Sequence, residues 1–370
     1  MRTYNVGDDR GILQHMKAGE IERTTEDWSW EYKSNPFGHL IGVADYDGQV
    51  VGHMGLVPIC MKLGDMTTKG SQAVDLIVHP NFRGQGIFLA IGKMLADTAG
   101  REGIPFSYAF PSRAASHAGF LKFGWFDVCH ISQLVKPINI DNMVDYLDKY
   151  RIIKFLNRHR TLRKVVRFFL QVGFAVTSSF NRISNRTDEV KKTMRTGLGD
   201  MKIRAIESFD DRFDDFWKEV SRHHSIIVVR NKKYLNWRYF EKPNTKYTVL
   251  VAERNGKISG YVVLRSKKEK QLRLGYIVDI LVSSDNKGVI QSLFLEAIEK
   301  FRKENVDAIL CWMLEKSTGA RIYHKILKYN GFIHQISLPL IARVNSSQFS
   351  KEFAEDPNRW FVTIGDSDYI

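Results

Sequence analysis

The strongest constraint on this chain is that it is written twice. Trp237-Arg238-Tyr239, with Pro243 following, repeats Trp30-Glu31-Tyr32 and Pro36 at an offset of 207 positions. Asn255-Gly256-Lys257-Ile258-Ser259-Gly260 answers Asp47-Gly48-Gln49-Val50-Val51-Gly52, and Val278-Asp279-Ile280-Leu281-Val282 answers Val74-Asp75-Leu76-Ile77-Val78. Lys328-Tyr329-Asn330-Gly331-Phe332 answers Lys122-Phe123-Gly124-Trp125 with one extra residue. Self-similarity in the same order at a nearly constant spacing means two copies of one folding unit, so the 370 residues read as two domains of one kind.

Each unit is of the α/β type. In the first, residues 8–33 have helical spacing of Ile12, Met16 and Ile21 and end at Asn35-Pro36, which cannot continue a helix. Strands are expected from His39 to Ala44 and from Gln49 to Val57, turned by Asp47-Gly48, then a loop over 64–70. Val74 to Val78 has the branching of a buried strand, which Pro80 ends. A helix from Gly86 to about 102, a strand from Phe106 to Ala109, a short helix capped by Gly124 and a strand from Trp125 to Leu134 complete the unit.

Between strand and helix lies Arg83-Gly84-Gln85-Gly86. Helix starts leave N–H groups unpaired and partly positive, and glycines let a bound group approach the backbone, a pairing that suits a phosphate or pyrophosphate. Two readings stay open from this fragment: a glycine-rich turn without a ligand, or an anion site. It is not a Rossmann turn, since Leu89 stands where the third glycine belongs, nor a P-loop, since Gly-Lys-Ser/Thr is absent. The second copy reads Asn286-Lys287-Gly288-Val289-Ile290 and has lost one glycine.

This stretch resembles the signature of the GNAT acyltransferase superfamily, an Arg/Gln-x-x-Gly-x-Gly/Ala turn after a strand ending in Val-x-Pro, with Asn81 where Arg or Gln is usual and Arg83 two places on. The resemblance implies two tandem GNAT folds, each a mixed, mostly antiparallel sheet flanked by helices: residues 1–137, a basic helical linker over 138–200, a degenerate copy over 201–345 and a packed tail over 346–370. It implies acetyl-CoA as co-substrate, its pyrophosphate on Arg83, Gly84, Gln85, Gly86, Ile87 and Phe88, and its pantetheine arm along Ile77 and Val78. CoA is placed in the first copy because Val289 and Ile290 would put side chains where backbone must meet pyrophosphate in the second.

Acyl transfer to an amine needs a proton route and a donor for the departing thiolate. Asp75 is the carboxylate in the signature strand; it is open to a proton-accepting role or to a structural one, since Asp279 repeats it. The family's usual tyrosine is replaced by Phe120, which leaves Tyr108 and Ser112 as candidate hydroxyls, with Ser116 and His117 nearby. Trp30, Arg238 and Asp366 are the candidate acceptor-binding residues, Arg238 because Glu31 stands at its counterpart. The aromatic tail either brings Asp366 and Asp368 to the catalytic cleft, as the resemblance to tandem GNAT enzymes implies, or only caps a sheet. The Trp-Arg-Tyr motif and the closing Gly-Asp-Ser-Asp are similar to a group associated with surface-polysaccharide biosynthesis, which implies an amino sugar or nucleotide-linked amino sugar as acceptor. An aminoacyl transferase of the tandem type, and a CoA-binding module without catalysis, are the alternatives.

Composition narrows the partners. A formal net charge of +14 favours polyanionic ligands such as CoA, and no zinc-finger, RRM or basic-zipper pattern points to specific nucleic-acid recognition or a metal. Residues 149–176 alternate basic and apolar side chains, which fits either a connecting helical hairpin or contact with an anionic membrane surface. The first residues lack an apolar signal region, and the three cysteines form no CxxC pair, so a reducing cytoplasm is expected.

Overall fold

A computed structural model describes residues 1–19, 21, 23–139, 142, 200–283 and 286–369. The first half runs β1 (Arg2–Thr3), α1 (Asp8–Ala18), α2 (Thr25–Tyr32), β2 (Leu40–Tyr46), β3 (Gln49–Leu63), β4 (Met66–Val78), α3 (Ile87–Arg101), β5 (Phe106–Ala109), α4 (Ala114–Leu121) and β6 (Phe126–Pro137). The second half runs β7 (Lys202–Ile206), α5 (Arg212–Val220), β8 (Ile226–Val228), α6 (Lys232–Tyr239), β9 (Thr248–Arg254), β10 (Lys257–Glu269), β11 (Leu272–Val282), α7 (Lys287–Lys303), β12 (Ala308–Met313), α8 (Arg321–Tyr329) and β13 (Ile333–Val344), followed by α9 (Lys351–Glu355).

Local chemistry explains the repeated parts. Asp47-Gly48 and Asn255-Gly256 all have positive φ, the geometry a two-residue hairpin turn needs. The caps of α2 and α6 are also equivalent: the Thr24 hydroxyl accepts from the Asp27 N–H, and the Asn231 side chain from the Tyr234 N–H. The expected loop over 64–70 shrinks to a turn at Gly64-Asp65, because β3 and β4 stay paired down to Leu63↔Met66 while β8 adds to the far edge of β3 at Met61↔Val228.

The described strands form one thirteen-stranded mixed sheet in the order β1-β2-β3-β4-β5-β13-β6-β12-β11-β10-β9-β7, with β8 beside β3. Only β4/β5 and β11/β12 are parallel. The two halves exchange their last strands: β13 pairs with β5, and β6 pairs with β12. The order is therefore the same read from either end toward the central β6/β13 pair, as a pseudo-two-fold axis requires. The repeated tryptophans obey the same symmetry. Trp30 Nε1 donates to the Trp237 carbonyl at 2.9 Å, Trp237 Nε1 donates to the Trp30 carbonyl at 3.4 Å, and the rings stack at 4.9 Å. Such a pair adds about 0.5–1.5 kcal/mol beyond the apolar area it buries.

The core continues across the join, from Ile12 and Trp28 through Phe106 and Leu134 to Leu274 and Phe294. The helical linker and the membrane contact expected over 149–176 lie outside the described residues. Among the described residues no helix is long and apolar enough to cross a membrane.

Candidate functional site

The site begins where β4 stops behaving as an ordinary strand. On one side it is laddered to β3, with one extra residue accommodated between the His53↔Ile77 and Gly55↔Val74 pairs. Asp75 sits in this bulge at φ 53, a conformation that turns its side chain away from the regular pleat. On the other side β4 pairs with β5 only at Ser71↔Ser107 and Gln72↔Tyr108. From Ala73 to Val78 that edge has no strand partner among the described residues, and a cavity of about 460 Å³ opens there.

One end of the cavity is the glycine turn. Gly84 and Gly86 have φ of 79° and 78°, and a Cβ on either would meet nothing within 4 Å, so the open space in front of them belongs to the cavity they line. Gly86 is the N-cap of α3 and supplies no side-chain cap, which leaves the first-turn N–H groups available to an anion. The equivalent helix, α7, starts differently. Asn286 accepts from the Val289 N–H at 3.2 Å, so this start caps itself. Val289 and Ile290 are buried in the core, so their side chains do not obstruct this helix start as the sequence suggests; what distinguishes it is the Val289 N–H taken by Asn286.

The other end is acidic. Tyr32 donates its hydroxyl hydrogen to Asp75 at 2.8 Å, and the Arg23 guanidinium bridges Asp75 and Glu31. Asp368, from the chain's tail, joins the same wall and accepts from Gln72 Nε2 at 3.2 Å. Asp368 is solvent-exposed along the cavity, and its carboxylate is only partly stripped of water by the protein groups around it. That desolvation, reinforced by the nearby Asp75 charge, pushes its pKa up to about 6. His53, paired opposite Ile77, is 1% exposed, and burial takes its pKa down to about 4, so it stays neutral.

Of the residues the sequence pointed to, Asp75, Ile77, Val78, Arg83, Gly84, Gly86, Ile87, Phe88 and Ser112 line this one cavity. Ser116 does so as well, and Arg83 is fixed by donating Nε to the Val78 carbonyl at 3.1 Å. Gln85 is exposed on the turn and is not part of the wall. His117 pairs with Asp127 at 2.6 Å, and Phe120 packs at 4.8 Å against Trp125 in an aromatic cluster.

Four expectations are placed elsewhere, each by a satisfied buried contact. Tyr108 is 2% exposed and donates its hydroxyl hydrogen to the Asp366 carbonyl at 2.9 Å. Trp30 is stacked on Trp237 at the join of the halves. Arg238 is buried, donating Nε to the Gly365 carbonyl at 3.0 Å and a second N–H to the Ser367 carbonyl. Asp366 is buried against Arg230 Nη2 at 2.7 Å. A polar side chain in a repeated motif reads from sequence as available, whereas here the tail consumes its hydrogen bonds. Arg23 was not singled out, although the 207-residue offset that relates Trp30 to Trp237 also relates it to Arg230 and was the signal that could have found it.

Comparison with known proteins agrees with this geometry. A family model described as an acetyltransferase (GNAT) domain matches residues 10–126, and one described as acetyltransferase (GNAT) family matches residues 206–329; together they span well over half of the chain. Among solved structures, Saccharomyces cerevisiae N-myristoyltransferase with bound myristoyl-CoA superposes with a TM-score of 0.59 at 13% identity, over 92% of this chain and 80% of that one. A probable N-acyltransferase of Enterococcus faecalis gives 0.57 at 13% identity over 93% and 72%, and a GCN5-related N-acetyltransferase of Anabaena variabilis gives 0.58 at 10% over 93% and 73%. At these identities the likeness is one of fold. No match was found among curated protein sequences.

Proposed function

Because the chain belongs to the GNAT acyltransferase superfamily, as two such domains in tandem, we propose that its first half transfers an acetyl group from acetyl-CoA to the amine of a small acceptor. The observation that carries this reading is one cavity with an uncapped glycine turn at one end and the carboxylates of Asp75 and Asp368 at the other. The turn offers backbone N–H groups and a helix dipole to a diphosphate, and the unpartnered edge of β4 offers backbone to a pantetheine amide. The acidic end attracts an amine as its ammonium ion, which gives one proton to bulk water through the open cavity before its nitrogen lone pair can attack.

Asp368 takes the proton. As the amine nitrogen bonds to the acyl carbon, its proton becomes acidic enough for a carboxylate of pKa about 6 to accept. The carbon–sulfur bond breaks and the thiolate is protonated by solvent or by the cavity-wall hydroxyls of Ser112 and Ser116. Asp75, tied to Arg23 and Tyr32, holds its place and raises the proton affinity of Asp368. Below about pH 6 Asp368 is protonated and cannot accept, so the kcat/KM profile is expected to carry a limb near pH 6 distinct from the limb set by deprotonation of the acceptor amine at higher pH; absence of the limb near 6 would remove Asp368 from the role.

Within amine acceptors, an amino sugar or nucleotide-linked amino sugar is the first class to test, on the strength of the sequence resemblance. The experiment is mass spectrometry of reactions containing acetyl-CoA and a panel of amino sugars and other amines, watching for one acetyl mass on an acceptor. CoA binding without acetyl gain on any amine would favour the non-catalytic module instead. Calorimetry is expected to give one CoA per chain, because α7 caps its own first turn; two per chain would overturn that assignment.

A further inference from the structure

The second half keeps the polar constellation of the first and uses it on the chain's own tail. In the first half Arg23, Tyr32 and Asp75 meet beside the cavity. In the second, Arg230 Nε donates to Asp279 at 3.1 Å and Tyr239 donates its hydroxyl hydrogen to Asp279 at 3.1 Å. Here too the neighbouring parallel strands part: β11 and β12 are paired only from Leu274↔Ala308 to Ile277↔Cys311. The space beyond is filled by the 3₁₀ turn Ile364–Asp366.

The tail is gripped from every side. Arg230 Nη2 donates to Asp366 at 2.7 Å, and the Thr363 hydroxyl donates to Asp279 at 3.0 Å. Arg238 holds the Gly365 and Ser367 carbonyls, and Tyr108 of the first half holds the Asp366 carbonyl. A Cβ on Gly365 would lie 3.3 Å from the Val278 carbonyl, tighter than an ordinary contact, so this backbone sits directly on β11. Arg230, Asp279, Thr363 and Asp366 are each no more than 3% exposed. One extended residue, Ser367, then separates this anchored turn from Asp368 in the first-half cavity.

We propose that the second half's degenerate site is a socket for the tail, and that Arg230, Thr363 and Asp366 are positioning residues that set where the Asp368 carboxylate stands in the first-half cavity. The proposal rests on Asp368 being the proton acceptor. It explains why the second copy retains a buried Arg–Asp–Tyr set without a free anion cradle: the same groups that flank the working cavity hold a strap whose end completes it. Misplacing a catalytic group by about 1 Å costs up to about a hundredfold in rate.

The test uses the full-length protein carrying Asp366→Asn and, because a buried charge is altered there, Thr363→Val as a second variant of nearly the same shape. Expected are a fall in kcat of about ten- to a hundredfold, an acetyl-CoA dissociation constant within about twofold of wild type, and displacement of the rate limb near pH 6. A structural role alone would lower stability without moving that limb. Wild-type kcat and an unmoved limb in a folded Thr363→Val protein would overturn the socket. Asp368→Asn, run alongside, tests the underlying reading separately: if it leaves kcat unchanged, Asp368 is not the acceptor whatever the socket variants do.

Discussion

Gly86→Asp is expected to abolish acyl-CoA binding. Gly86 holds φ 78 at the N-cap of α3, where a side chain costs about 1–2 kcal/mol through steric conflict with its own carbonyl. The larger effect is electrostatic. The new carboxylate would sit at the positive end of the helix and accept the N–H groups a diphosphate needs, just as Asn286 accepts the Val289 N–H in the second copy. Strain, lost hydrogen bonds and repulsion together should raise the dissociation constant at least about 1,000-fold, near 4 kcal/mol. Gly86→Ala carries the strain without the charge and should lose about tenfold. Calorimetry with CoA reads both, with thermal melting to confirm the fold. Unchanged affinity in the Asp variant would refute the turn as the diphosphate site.

Asp368→Asn should do the opposite, leaving acetyl-CoA affinity intact while lowering kcat by about 10²–10⁴-fold. Asparagine preserves size and can still meet Gln72, but it cannot accept a proton at any working pH. The rate limb near pH 6 should vanish with it. His53 cannot stand in, since burial holds its pKa at about 4, and the Tyr108 hydroxyl is committed to the Asp366 carbonyl. Retention of both kcat and the limb would move the proton route to water or another group. Steady-state kinetics with the acceptor found by mass spectrometry decides between them.

The two variants probe the two ends of one cavity, and those ends were unequally visible in the sequence. The glycine turn was readable because its behaviour is local: β-branched residues favour the strand, Pro80 ends it, and glycines alone enter positive φ without strain. The walls from Ile77 to Phe88 followed from the same stretch. The acidic end was only half visible. Asp75 was evident from its place in the signature strand, whereas Asp368 was legible only as one of two tail carboxylates that could reach the cleft, and its meeting with Gln72 across 296 positions depends on how the tail folds back. Trp30, Arg238 and Asp366 show the converse, since aromatic and charged groups that read as available for a ligand are held by Trp237, by tail carbonyls and by Arg230.

The amino-acid sequence by itself determined that there are two copies of one α/β unit, where each strand, turn and helix of the signature lies, and which copy has an open helix start. These depend on residues close together along the chain. Tertiary structure alone decided that β6 and β13 change places, that the tail occupies the second copy's opening, and that Asp368 rather than Asp366 lies in the first. A strand edge accepts any strand of compatible register, and a buried arginine any carboxylate within reach. Which partner is taken is set by the packing of the whole molecule, and no local pattern records it.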